Sequence, residues 1–228
     1  MSRNWLGIGI ALATSASACA GASISVDDVT QGIELGGGSS NAVPGCGVSG
    51  GGHAITLKGA ALVSDARLER AHNATSYGAE PYLRVRNNTS SLLRFDTQTI
   101  PSSATVKGAC LVLSVGDPSV RTFNAYEVAR PWTEDGATWL SSARGSAWGT
   151  RGAAAASDRG RPVMASFQRS VSGPFATPFA TSLVQKWVAD PTTNNGIVIA
   201  NPAAHDGISF SSSEVADGPA LTVFYDLP

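Results

Sequence analysis

Apolar and polar side chains alternate in short runs along most of this chain. Ala109, Leu111 and Leu113 fall two residues apart, as do Leu221, Val223 and Tyr225, and period two places each set on one face of a strand. Strand-like runs follow one another at 60–68, 82–86, 91–96, 105–115, 121–129, 163–168, 196–200, 208–212 and 220–225, separated by turn-forming clusters. Short strands at this spacing predict an all-β fold, an antiparallel, jelly-roll-like β-sandwich. One short helix interrupts the pattern. Thr181 stands where it can cap a turn in which Val184, Trp187 and Val188 share a face, and Asp190-Pro191 ends it. Because Pro-Phe-Ala-Thr occurs twice in tandem, at 174–177 and 178–181, either threonine can open that helix. Residues 141–161, rich in Ser, Ala, Gly and Arg, read as a long surface loop around Trp148.

The ends of the chain modify this picture. Arg3 precedes an apolar stretch from Trp5 to about Ala13 and then small residues up to Ala22, the order of a secretory signal. Cleavage before Cys19 or before Gly21 both fit, and Cys19 is also placed for lipidation. The expected organisation is a signal segment at 1–20, a flexible Gly/Ser-rich linker at 21–54 and a domain at 55–228, secreted or at the cell surface. The apolar stretch is too short for a permanent transmembrane span, and no later segment is long enough. With Cys19 removed or lipidated, Cys46 and Cys110 remain as a disulfide candidate. A free thiol in the linker and a buried apolar Cys110 is the alternative.

Composition excludes more than it identifies. Only 14% of the 228 residues are charged and the formal net charge is −1, so no overall basic field draws in nucleic acid. Gly47-Val-Ser49-Gly-Gly51 matches the nucleophile pattern Gly-x-Ser-x-Gly but lies in the linker, without the strand-to-helix turn that the chemistry requires. His53, His72 and His205 have no metal-ligand spacing, and His205-Asp206-Gly reads as a polar turn. No motif requires a cofactor. Asn194-Asn195 and Asp27-Asp28 offer oxygens of the kind a structural calcium takes, but no diagnostic spacing assigns metal ligands. Glu134-Asp135 and Glu214 read as solvated turn residues.

An ordered series of motifs runs from about Ala60 to Tyr225. It comprises Asp65-Ala66, Asn73, Tyr77-Gly78, Leu92-Leu-Arg-Phe-Asp96 with Ile100-Pro101, and Ala109-Cys-Leu-Val-Leu113. Next come Trp132-Thr-Glu-Asp-Gly-Ala-Thr-Trp139 and Trp148-Gly149. Phe179-Ala-Thr-Ser-Leu-Val-Gln-Lys-Trp187, Asn195-Gly196 and Phe210-Ser-Ser-Ser-Glu214 complete it. The series resembles the extracellular domain named for its Asp-Asn-Arg-Leu-Arg-Glu signature (DNRLRE) and is similar to family 96 carbohydrate-binding modules. The resemblance implies a β-sandwich of secreted or cell-surface proteins with polysaccharides, alginate among them, as ligands. Ala180 departs from it, standing where the family tends to have Asp before the helix threonine.

Tyr82-Leu-Arg-Val-Arg86 is the strongest local signal for a site. On a strand, Leu83 and Val85 face one way and Tyr82, Arg84 and Arg86 the other, setting an aromatic ring beside two guanidiniums suited to acidic sugars. A solvated edge-strand face is the plainer alternative. Trp132, Trp139 and Trp187 read as packing residues, and Trp148 as the tryptophan free to contact a ligand. The reading is a non-catalytic extracellular module that binds carbohydrate, in particular acidic polysaccharide, or attaches to surfaces. The alternatives are a structural protein-binding domain of the envelope or matrix, and a polysaccharide hydrolase or lyase.

Overall fold

The computed structural model describes residues 43–228, together with the backbone of a short strand at Ile33–Glu34. The signal segment, Cys19 and Asp27-Asp28 lie outside the described residues. Strand β1 (Ile33–Glu34) pairs with β2 (His53–Lys58). There follow β3 (Val63–Glu69), β4 (Tyr82–Val85), β5 (Thr89–Phe95), β6 (Thr105–Asp117) and β7 (Ser119–Val128). A small hairpin, β8 (Ser141–Ala143) and β9 (Ser146–Ala147), precedes β10 (Arg159–Arg169) and β11 (Gly173–Pro178). Helix α1 (Thr181–Ala189), β12 (Ile197–Ala200), β13 (Ile208–Ser211) and β14 (Ala220–Asp226) complete the chain.

Two antiparallel sheets form the sandwich. One runs β1-β2-β14-β6-β13-β4, and the other β10-β7-β12-β5-β3. The long strand β6 organises the first: Leu111 pairs with both Leu221 of β14 and Thr177 of β11, and Val115 with Gly173 of β11 and Phe210 of β13. Thus β11 takes one edge of β6, while β14 and then β13 share the other. The period-two sets meet between the sheets, where Phe95, Leu111, Leu113, Leu221 and Val223 are fully buried beside Leu93, Phe123 and Ile199. Burying such side chains contributes about 1.5–3 kcal/mol each.

Both sheets are also covered on their outer faces. Leu92, Ala66, Leu68 and Val198 point away from the main core and pack under Trp132, Ala137, Trp148 and Ala153. Residues 141–161 are therefore not a loose surface loop. They return over the five-stranded sheet through the β8–β9 hairpin, and Asp158 fixes the return by accepting from the backbone N–H groups of Gly149, Thr150 and Ala155 at 2.7, 2.9 and 3.1 Å. On the other sheet, Cys46 is disulfide-bonded to Cys110 with a Cα separation of 6.2 Å. That bond and Val48 hold the 43–52 segment over Ala54 and Phe224. This part of the Gly/Ser-rich stretch is docked rather than a free linker.

Helix α1 closes one end of the sandwich, burying Leu183, Val184, Trp187 and Val188. Gln185 ties it to the start of β6, accepting from the Val106 N–H at 2.8 Å and donating to the Ala104 carbonyl at 3.1 Å. The helix begins one residue earlier than a Thr181 cap requires. Thr181 is already helical, and the cap position falls to Ala180, whose side chain offers no acceptor.

Two outcomes follow for stability. Ala180→Asp supplies the missing acceptor and should raise the unfolding free energy by about 1 kcal/mol in urea titrations. Replacing Cys46 and Cys110 together by serine opens a loop of 64 residues and should cost roughly 2–4 kcal/mol in the same assay.

Candidate functional site

A sandwich has two open sides where the edge strands of its sheets come together. On one side these are β3 and β4, edges of the two sheets. Val63 of β3 enters the core, and period two sends Asp65, Arg67 and Glu69 the same way. The gap between the edges is therefore filled by a charged row, with Asp65 and Arg67 almost wholly buried.

Arg67 is accommodated by aromatic faces. Its Cζ lies 4.2 Å from the ring centroid of Tyr77 and 4.5 Å from that of Tyr82. Its Nε is 3.6 Å from a Glu69 carboxylate oxygen. Tyr82 thus has a buried guanidinium behind it while the residue stays 41% exposed, the one Phe, Tyr or Trp among the exposed large hydrophobic residues described. Cation–π contact of this kind fixes ring orientation as well as adding stability.

Arg84 shares the outward face of β4 with Tyr82, opposite the buried Leu83 and Val85, and Arg86 follows directly after the strand, bridged to Thr89. Both have carboxylate partners far away in sequence. Arg84 lies 3.6 Å from Asp117 and Arg86 3.2 Å from Glu69. These pairs are partly solvated and weak, so they orient the guanidiniums without consuming all five N–H donors of each. Beyond Arg86, the β4–β5 turn and residues 70–72 enclose a polar cleft lined by Glu69, Arg70, Arg86, Asn87, Asn88 and Thr89. Tyr82 to Arg86 spans about 13 Å along the strand, so ring, guanidiniums and amides form one continuous strip.

Trp148 is not part of this strip. It is 6% exposed, packs in the layer over the five-stranded sheet, and donates its indole N–H to the Thr138 carbonyl at 2.9 Å. Its position in a long loop suggested a free ring, but that loop folds back on the sheet. Trp132 is likewise buried and bonded to the Asn195 carbonyl at 2.8 Å. Asn194 spends its amide on the Phe95 carbonyl and the Gly196 N–H. Among the described residues, no three His, Cys, Asp or Glu side chains are gathered as a preformed metal cage. Ser49 is exposed, with no helix after it, and Asp206 of the His205 turn accepts from Ser119.

Glu134 was expected to be a solvated turn residue, but one of its oxygens accepts from the Asp65 backbone N–H at 2.7 Å. Asp65 Oδ2 in turn accepts from the Ser213 N–H at 2.6 Å. Loop 73–81 closes over this pair, with Ser76 donating to the Glu134 carbonyl at 3.1 Å. Gly78 sits so close to that carbonyl that any Cβ would collide with it. Burial, opposed by the Ser213 hydrogen bonds and helped by the charges of Glu134 and Glu214, pushes the Asp65 carboxyl from its ordinary 3.8 up to about 7. Burial also raises Glu134, with Glu214 and Asp135 adding to this and Arg94 opposing it. Sequence reasoning missed this cluster because its members lie at 65, 134 and 214.

An antiparallel sandwich with an open, aromatic and hydrogen-bonding strip along one edge has the build of a ligand-binding module. Residues 59–157 match the family model described as carbohydrate-binding module family 96, so this part of the sandwich is similar to family 96 carbohydrate-binding modules. The match includes Tyr82, Arg84, Arg86 and the Trp132–Trp139 motif, while β10 to β14 complete both sheets beyond it. No curated protein matches the chain.

The Asp65 shift has a testable sign. The folded state retains a proton that the unfolded chain has released between about pH 4 and 7. In metal-free buffer, stability should therefore fall as pH rises through that window and level off above it. Glu134 acts in the same direction. Thermal melts across pH should show a flatter profile for Asp65→Asn than for the natural protein.

Proposed function

We propose that this domain is a non-catalytic extracellular module that holds polysaccharide along the Tyr82–Arg84–Arg86 strip and the adjoining cleft. The observation that carries the reading is Tyr82, an exposed ring held from behind by the buried Arg67 guanidinium. A pre-oriented ring suits the apolar face of a sugar and loses little entropy on binding. Arg84, Arg86, Asn87 and Asn88 supply donors for hydroxyl or carboxylate groups next to it. Arg70 adds a guanidinium hydrogen-bonded to Asn88 at 3.3 Å rather than ion-paired, which favours acidic sugars over neutral ones.

Export is part of the same proposal. The Cys46–Cys110 disulfide suits an oxidising compartment, and the start of the sequence has the order of a secretory signal. The domain is then secreted or, if Cys19 carries lipid, attached at the cell surface. The non-catalytic reading rests on Asp65, the carboxyl with the most perturbed proton affinity. It is fully buried and has no path to a glycosidic oxygen.

A glycan array followed by calorimetry tests the assignment. Tyr82→Ala should weaken the best acidic glycan at least about tenfold, or ~1.4 kcal/mol. Arg84→Ala with Arg86→Ala should weaken it by a similar factor and flatten its salt dependence. Unchanged affinity in folded variants would place binding elsewhere, and turnover of any glycan would overturn the non-catalytic reading. Retention of a protein partner without any glycan would support a structural role instead.

A further inference from the structure

The second open side of the sandwich lies between β10 and β11, across both sheets from β3 and β4. A groove of about 470 Å³ runs there, lined in part by Gln168 and Arg169 of β10 and by Phe175 and Thr177 of β11. That volume falls within the range of small-ligand sites. Among the described residues, β10 pairs only with β7 and β11 only with β6. Each strand therefore presents an outer edge, with its backbone polar groups, to the groove.

Arg169 is the feature that sets this groove apart. It is part-buried, and its Nε is sealed from solvent without a hydrogen-bond partner. Among the described residues, no carboxylate lies within ion-pair distance of it, and no hydrogen bond joins its guanidinium to another side chain or carbonyl. What positions it is the Phe175 ring, whose centroid lies 5.7 Å from Cζ. Phe175 is held in turn by Phe167, with ring centroids 5.3 Å apart. Arg67, Arg84 and Arg86 all have carboxylate partners, whereas Arg169 is the one charged residue lining its groove. A guanidinium cannot discharge itself, and a partly desolvated charge is stabilised by an ionic partner. The protein orients this cation and leaves its counter-charge to come from outside.

We propose that this groove is a second site for acidic polysaccharide, in which the two terminal nitrogens of Arg169 take the carboxylate of a uronic acid residue. The planar guanidinium matches a carboxylate in bidentate fashion. The exposed Gln168 amide and the strand edges supply donors and acceptors for the sugar hydroxyls. The ligand class rests on the reading of the Tyr82–Arg86 strip given above, while the site itself is separate from it. Three strand spacings separate β11 from β4 and four separate β10 from β3, about 14–19 Å at the usual spacing between neighbouring strands. One domain therefore engages two polysaccharide chains, or two stretches of one, and holds a long polymer more tightly than a short fragment.

A uronic acid trisaccharide, too short to reach around the sandwich, is titrated into the protein while backbone amide NMR shifts are followed. Amides at 82–89 and at 166–177 should move as two sets with separate affinities. Arg169→Gln should weaken the second set at least about tenfold and leave the first unchanged, with the remaining amides reporting an intact fold. Arg169→Lys, which keeps the charge but not the fork, should recover only part of the loss. Tyr82→Ala should act on the first set alone. If the 166–177 amides stay still, or respond equally in Arg169→Gln, the second site is overturned and the strip stands. Movement at 166–177 alone supports the groove and removes the strip, and movement of neither set removes both. With a long polyuronate, the natural protein should cross-link the polymer and raise light scattering, and Arg169→Gln should not; equal scattering from both would count against two sites.

Discussion

Arg67 is the residue on which the site and one side of the fold both depend. A guanidinium cannot give up its charge, so placing it between two sheets obliges its surroundings to compensate. The compensation comes from Tyr77 on the loop after β3, Tyr82 on β4 and Glu69 two residues along the same strand. Glu69 then engages Arg86. One buried charge thereby sets the position of an exposed ring, a surface arginine and the loop that covers Glu134. The Tyr82–Arg86 strip is the outer surface of a neutralisation problem solved inside.

Much of the architecture was legible because period two is a strong signal when both faces of a strand differ. The 105–115 and 220–225 runs are the partners at the centre of the larger sheet. β11 escaped notice because Pro174 and Pro178 argue against a strand. It forms nonetheless as an edge that pairs only with β6, where a missing N–H can face solvent. The hairpin β8–β9 was hidden by small, weakly patterned residues whose order comes from Asp158 and the sheet beneath.

The site was legible in part, for a similar reason. The alternation of Tyr82, Arg84 and Arg86 against Leu83 and Val85 is local, and sequence carries local information well. The ion pairs to Asp117 and Glu69, the stacking on Arg67 and the burial of Trp148 are relations between distant segments. A tryptophan in a Gly/Ala/Ser-rich stretch looks free until the stretch is seen to fold back over a sheet. Glu134 looked solvated for the same reason, since nothing in its neighbourhood names Asp65 as its contact.

The disulfide has a mechanical consequence. Cys46 joins the chain to Cys110 in the middle of β6, a strand paired along both edges at that position. Tension applied from the N-terminal side therefore passes through sulfur into the centre of the sheet and spares β2 from being unzipped at the periphery. The load falls on β14 and β11 together as shear, in which many hydrogen bonds must break at once. Force arriving from upstream would be met at a strand with a partner on each side rather than at the edge of the sheet.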